Sequence, residues 1–86
     1  MPRILIYTTA TCPYCIRAKR LLDGKKVKYR EIRIDTNPQQ MLAMMQRSNR
    51  RTVPQIFIGE YHVGGYDDLA ELDADGELDQ LLIDAK

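Results

Sequence analysis

Residues 3–9, Arg-Ile-Leu-Ile-Tyr-Thr-Thr, are a short run of β-formers with apolar side chains at consecutive positions. A strand with one face in water alternates apolar and polar residues, whereas a strand covered on both faces reads as a nearly unbroken apolar run. This segment therefore belongs in the middle of a sheet, and the rest of the chain must supply helices for both sides. Residues 13–24 read as the first of these: Pro13 suits the first helical position, Cys15, Ala18, Leu21 and Leu22 share one apolar face, and Gly24 can end it. Residues 26–34 are rich in β-formers but heavily charged, which suits a sheet edge.

A second helix is expected over 37–48. Asn37 caps it, Pro38 opens it, Met41, Leu42, Met44 and Met45 form the buried stripe, and Asn49 stands where a left-handed residue closes a helix. The methionines read as core filling rather than metal or sulfur chemistry, because Met adapts to irregular gaps. Residues 54–65 read as a hairpin with Gly59-Glu60 as its two-residue turn. Residues 66–86 close the chain as one helix or two, with Leu69, Leu72, Leu78, Leu81 and Leu82 inward. The order β-α-β-α-β-β-α predicts an α/β fold: one four-stranded mixed sheet flanked by helices on both faces. With 86 residues, a single domain over 1–86 is expected.

The formal charge is only +1, but residues 1–34 hold nine Lys/Arg against two acids and residues 35–86 hold four against ten. The basic part carries both cysteines, Cys12 and Cys15, where a positive field favours a thiolate and an anionic partner. Nucleic acid is not an expected partner, because the basic residues are not interleaved with aromatics. No apolar run approaches the roughly 20 residues needed to span a bilayer, so no membrane partner is expected. The amino terminus lacks the apolar core and cleavage site of a secretory signal. These features point to the cytoplasm, where a close cysteine pair is more often catalytic or metal-binding than a structural disulfide.

The pair sits at the junction of the first strand and first helix. Cys12 takes the cap position before Pro13, so its sulfur can receive the free first-turn amides of Tyr14 and Cys15. Those donors and the helix dipole hold a thiolate below the ordinary cysteine pKa of about 8.5, which makes Cys12 the expected nucleophile. Cys15, one turn later on the apolar face, is placed to resolve a mixed disulfide formed on Cys12. Pro13 stiffens the turn and removes a donor. The rival readings are weaker. A structural staple here would close a very short loop and constrain little of the unfolded chain. A tetrahedral zinc site needs about four ligands, and the chain has two cysteines and one histidine. That histidine, His62, reads as a half-exposed strand residue; no metal ligand is assigned.

Taken together, "CPYC" (12–15), "TVP" (52–54) and "GG" followed by "YDD" (64–68) resemble the glutaredoxin family, in the right order and at familiar spacing. The similarity runs over nearly the whole chain and is strongest to short bacterial members of the dithiol class. It implies a thioredoxin-like fold and a glutathione-dependent oxidoreductase with no tightly bound cofactor, glutathione being the reducing co-substrate. It further implies that Pro54 is cis and faces the active site. Val53 would offer its backbone to the cysteine part of glutathione, with Thr52 lining the same groove. Gly65 would allow close approach, and the amides of Tyr66 and Asp67 would bind the γ-glutamyl carboxylate. Asp68 would meet the ligand's ammonium, and Tyr14 would wall the sulfur. Helix capping is the simpler alternative for Asp67 and Asp68.

Two departures stand out. Many family members carry a lysine where this chain has Thr9, and Arg51 is the preferred substitute cation, ahead of Arg50, because a guanidinium binds carboxylates well. Lys19 and Arg20 read as solvated helix residues. Tyr66 stands where many relatives have a further cysteine. The resemblance also implies a monomer that acts on disulfide-containing or glutathionylated proteins, with ribonucleotide reductase among the candidate targets. A thioredoxin-like reductant served by a flavoprotein, an iron–sulfur carrier and a plain interaction module are the alternatives.

Overall fold

The computed structural model describes residues 4–84; Arg3, assigned above to the first strand, and residues 85–86, assigned to the last helix, lie outside the described residues. The elements run β1 (Ile4–Thr8), α1 (Pro13–Gly24), β2 (Arg30–Arg33), α2 (Pro38–Ser48), β3 (Gln55–Ile58), β4 (Tyr61–Gly64), α3 (Tyr66–Ala74) and α4 (Glu77–Asp84). The sheet order is β2-β1-β3-β4. Strand β1 is thus interior, parallel to β2 with Tyr7 opposite Ile32, and antiparallel to β3 with Ile6 opposite Ile56. Strands β3 and β4 form the expected hairpin around Gly59 and Glu60.

The period-two alternation of strand side chains divides the core in two. Ile4 and Ile6 of β1 and Ile56 and Ile58 of β3 pack on one face against Ala18 and Leu22 of α1, Leu69 of α3, and Leu78 and Leu82 of α4. Tyr7 and Phe57 point the other way, against Ile34 and Met44, with Leu5, Ile32, Met45 and Val53 around them. The unbroken apolar run in β1 is explained by this two-sided burial.

Two local expectations change. Strand β2 begins at Arg30 rather than near 26, because the chain first turns through a left-handed Lys26 (φ 59°) to leave α1. Gly24 is the last helical residue, as expected, and the left-handed conformation falls two residues later on Lys26. In α2, Met44 is buried, but Met41 and Leu42 are exposed, and Ser48 takes an inward place instead. Its hydroxyl donates to the Met44 carbonyl at 2.7 Å and accepts the Arg50 amide at 3.0 Å. Helix α2 covers its sheet face alone, so only a narrow seam meets the strands. Its left-handed end at Asn49 (φ 58°) is as the sequence suggests. The last segment is two helices, parted at Gly76 (φ 80°), and Lys25 at the end of α1 forms ion pairs with both Asp73 and Asp79.

Candidate active site

The loop after β1 delivers Cys12 to the start of α1. Cys12 has extended backbone (φ −119°, ψ 102°), and its carbonyl accepts the Ile16 amide at 3.1 Å, which opens the helix. Its Sγ accepts the Cys15 amide at 3.0 Å. Of the two amides expected to reach this sulfur, that of Cys15 does so. Cys12 and Cys15 are joined in a disulfide with Cα atoms 5.1 Å apart. Cys12 is 8% exposed and Cys15 1%, so the pair has one sulfur nearer the surface and one inside. The oxidised pair is the end state of the attack-and-resolve chemistry that this spacing allows.

The loop is anchored by a residue that no motif marks. Asp35, just past β2, accepts the Ala10 amide at 2.9 Å and a two-pronged contact from Arg33 at 2.8 and 2.7 Å. The Arg33 guanidinium first, and then the Ala10 amide, hold the Asp35 carboxyl far below the usual carboxylate range. A second brace lies under β1, where Glu31 accepts from the Thr8 hydroxyl at 2.7 Å and Lys19 at 3.0 Å. The hydroxyl, and after it Lys19, lower the Glu31 pKa. Lys19 is therefore a paired residue rather than a solvated one.

A groove of about 230 Å³ runs beside the disulfide, lined by Tyr14, Arg50, Thr52, Val53, Pro54, Gly65, Tyr66, Asp67 and Asp68. Its link to the sulfur is Val53, whose carbonyl oxygen lies 3.8 Å from Cys12 Sγ. A disulfide sulfur carries no hydrogen, so this is a close approach here and becomes a hydrogen bond only for the reduced thiol. The Val53–Pro54 peptide bond is cis. The strand of the groove is held from below by fully buried Gln55, whose Nε2 donates to Thr52 O at 3.0 Å and Thr52 Oγ1 at 3.3 Å. Gln55 Oε1 in turn accepts from His62 Nε2 at 2.7 Å. His62 stacks on Phe57 with ring centroids 4.8 Å apart, and burial, followed by the Arg50 charge, pushes its pKa down. A neutral, packed imidazole that fixes Gln55 accounts for this histidine.

The opposite wall is the start of α3. Asp68 reaches back to the Gly65 amide at 2.9 Å, and the same Oδ2 accepts Arg50 Nη1 at 3.1 Å. The Gly65 amide is the leading cause of its lowered pKa, and Arg50 adds to it. Gly64 takes φ +113°, and a Cβ placed there would overlap the Asp68 carboxylate and crowd Arg50. The sequence draws attention to Gly65, but Gly64 carries the backbone constraint.

Of the residues that the sequence nominates, Tyr14, Thr52, Val53, Pro54, Gly65, Tyr66, Asp67 and Asp68 line one groove. Pro13 is exposed at the helix start, and Thr9 is half-buried in the preceding loop. Arg51 is exposed and off the lining, while Arg50 is on it. Neighbouring residues in an extended segment point opposite ways, so only one of two adjacent arginines can face the groove.

The sequence model of the family described as Glutaredoxin matches residues 4–63. A glutaredoxin of Pseudomonas aeruginosa PAO1 is 54% identical over 82 residues, covering 95% of this chain and 98% of that protein. Glutaredoxin 3 of Escherichia coli K12 is 55% identical over 82 residues, covering 95% of this chain and 99% of that protein. Among solved structures, a buckwheat glutaredoxin–glutathione complex superposes with a TM-score of 0.89 at 32% identity, over 98% of this chain and 79% of that one. The solution structure of a Brucella melitensis glutaredoxin gives 0.83 at 50% identity, over 95% of this chain and 89% of that one. With a thioredoxin-like α/β fold and a redox-active Cys12–Cys15 pair at the end of a groove, the chain belongs to the glutaredoxin family of glutathione-dependent thiol–disulfide oxidoreductases.

Proposed function

We propose that Cys12 attacks and Cys15 resolves, with glutathione lying in the groove beside them. The observation that carries this reading is the setting of Cys12 Sγ: it caps α1 with the Cys15 amide at 3.0 Å and meets Val53 of the groove at 3.8 Å. In the monothiol route the Cys12 thiolate attacks the glutathione sulfur of a protein–glutathione disulfide, and the protein thiolate leaves and takes a proton from water. A second glutathione thiolate then attacks the Cys12–glutathione bond, returning the Cys12 thiolate and releasing glutathione disulfide. In the dithiol route Cys12 attacks a protein disulfide, and Cys15 displaces the second protein thiol and closes the Cys12–Cys15 bond. Two glutathione molecules restore the dithiol, one by forming a mixed disulfide and the other by cleaving it. No tightly bound cofactor enters either route.

Reduced protein is expected to lose Cys12 to iodoacetamide with a pH midpoint below about 7.5, because the first-turn amide and helix dipole stabilise the thiolate. A midpoint near 8.5 would remove the thiolate argument.

In the groove, Val53 provides backbone hydrogen bonds, Thr52 and Pro54 form the floor, and Tyr14 forms a wall. The amides of Tyr66 and Asp67, opening α3 after Gly65, face the γ-glutamyl carboxylate. Asp68 Oδ2 is already engaged by Gly65 and Arg50, which leaves Oδ1 for the ligand's ammonium. Arg50 lines the groove and pairs with Asp68 at 3.1 Å, so we assign it to the γ-glutamyl end of the ligand, and Arg51 is off the lining. Asp68→Asn is expected to raise the glutathione KM about fivefold and change kcat less than twofold, since it weakens charge-assisted contacts in a partly exposed site. An unchanged KM counts against this placement.

The folded pKa of Asp68 lies below its unfolded value near 3.8. Its contribution to stability is therefore complete above that value and fades as pH falls through the folded one. Acid titration of Asp68→Asn is expected to show a smaller loss of stability below pH 4 than the parent shows.

The reading places the protein in the cytoplasm, where glutathione is the reducing pool. Among the described residues no helix is long and apolar enough to cross a membrane. It acts as a monomer on disulfide-containing or glutathionylated proteins, ribonucleotide reductase being one candidate.

A further inference from the structure

Glutathione alone leaves the outward face of α1 uncovered. Ile16 and Arg17 lie three and four residues after Pro13, and Arg20 lies four and three after them, so the four form a single exposed stripe that starts beside Cys12. Its upper end is apolar. Tyr14 is 52% exposed and Ile16 45%, two of the six large apolar side chains left in water among the described residues. Its lower end is cationic, and its charges are uncommitted. Arg17 lies over the Tyr14 ring at 5.3 Å, and neither Arg17 nor Arg20 pairs with a carboxylate among the described residues. Asp23, three residues beyond Arg20 on the same helix, hydrogen-bonds to Tyr29, while Glu31 is spent on Thr8 and Lys19, and Asp35 on Arg33 and the Ala10 amide. The half of the chain that includes α1 carries nine Lys/Arg against two acids.

We propose that this stripe docks the protein substrate, and that it selects segments bearing an apolar residue next to the reacting cysteine and acidic residues a few positions beyond. From Pro13 to Arg20 the helix rises roughly 10 Å, about the length of three extended residues. Carboxylates some three residues from the cysteine would therefore reach Arg17 and Arg20 while the apolar neighbour covers Tyr14 and Ile16. The inference deepens the oxidoreductase reading and rests on it only for the dithiol, because docking precedes any step with glutathione.

The test is single-turnover reduction of two symmetric peptide disulfides by stoichiometric reduced protein, with no glutathione present. One peptide carries Leu beside its cysteine and two Glu beyond; the other carries two Lys in place of the Glu. In each turnover the peptide disulfide gains two electrons and two protons and the dithiol becomes the Cys12–Cys15 disulfide. At low salt the acidic peptide is expected to react roughly tenfold faster, and the advantage should collapse at about 0.5 M salt as screening grows. Arg17→Glu/Arg20→Glu should reverse the preference, and Ile16→Ser should slow both peptides severalfold. Both changes should leave the reduction of a small symmetric disulfide, such as that of 2-mercaptoethanol, within about twofold. Equal rates on the two peptides, or a preference that survives the double variant, overturns the docking proposal. The oxidoreductase reading fails separately if the small disulfide is not reduced at all, and a charge preference in peptide binding to the Cys12→Ser/Cys15→Ser protein still decides the docking proposal in that case.

Discussion

Cys12→Ser is expected to abolish both reactions, with a loss on the order of 10³-fold or more in kcat/KM, because a serine hydroxyl is not ionised at the start of α1 and leaves no sulfur for exchange. Cys15→Ser should behave differently. It removes the resolving thiol, so reduction of protein disulfides by the dithiol route stops and a mixed disulfide accumulates on Cys12. Reduction of glutathione mixed disulfides should persist within severalfold of the parent, since glutathione itself resolves that intermediate. The asymmetry follows from geometry: the Cys12 sulfur receives the helix amide and adjoins Val53, whereas Cys15 is 1% exposed on the apolar face of α1. The measurement is a pair of steady-state assays, one on a protein disulfide and one on a glutathionylated peptide, with mass spectrometry of the trapped adduct. A Cys12→Ser protein that still turns over either substrate would sink the nucleophile assignment, and equal loss in the two assays for Cys15→Ser would sink the division of labour.

The second large effect belongs to Gly64. At φ +113° any side chain is strained, and a Cβ would overlap the Asp68 carboxylate and press on Arg50. Gly64→Ala is expected to cost about 2 kcal/mol or more. For a domain of this size that lowers Tm by on the order of 10 °C. It should also raise the glutathione KM, because displacing Asp68 breaks its bond to the Gly65 amide and its pair with Arg50 together. Gly76→Ala separates the two consequences. Gly76 also has positive φ, at 80°, but a Cβ there meets nothing within 4 Å and the position parts α3 from α4. That variant should lose about 1 kcal/mol from backbone strain with an unchanged glutathione KM. Matching KM values for the two variants would mean that the Asp68 cluster has no part in binding.

Much of this was legible in the sequence because it is local. Pro13 after Cys12 marks a helix start, and a cysteine at a helix start meets free amides whatever the rest of the fold does. Asn49 and the Gly59-Glu60 turn announce themselves through residue types that tolerate positive φ. The apolar run of β1 needs two covered faces, and the element order can provide them. Less legible were features whose cause is one-sided packing. The stripe of α2 reads as four apolar residues, yet Met44 alone is fully buried, because a single helix resting on the sheet contacts it along a narrow line.

The sequence by itself determined the fold class, through the order of its elements, and the redox pair, through residues within one helical turn. Only the tertiary structure decided which arginine faces the groove, that Asp35 ties down the loop before Cys12, that Gln55 and His62 support Thr52, and that Gly64 rather than Gly65 carries the positive φ. Asp35 reaches Ala10 across 25 residues of chain and Arg50 reaches Asp68 across 18, and a one-residue change in which way a side chain points exchanges one partner for another. Local propensity carries no information about that direction, which is set when the strands find their register and the core closes.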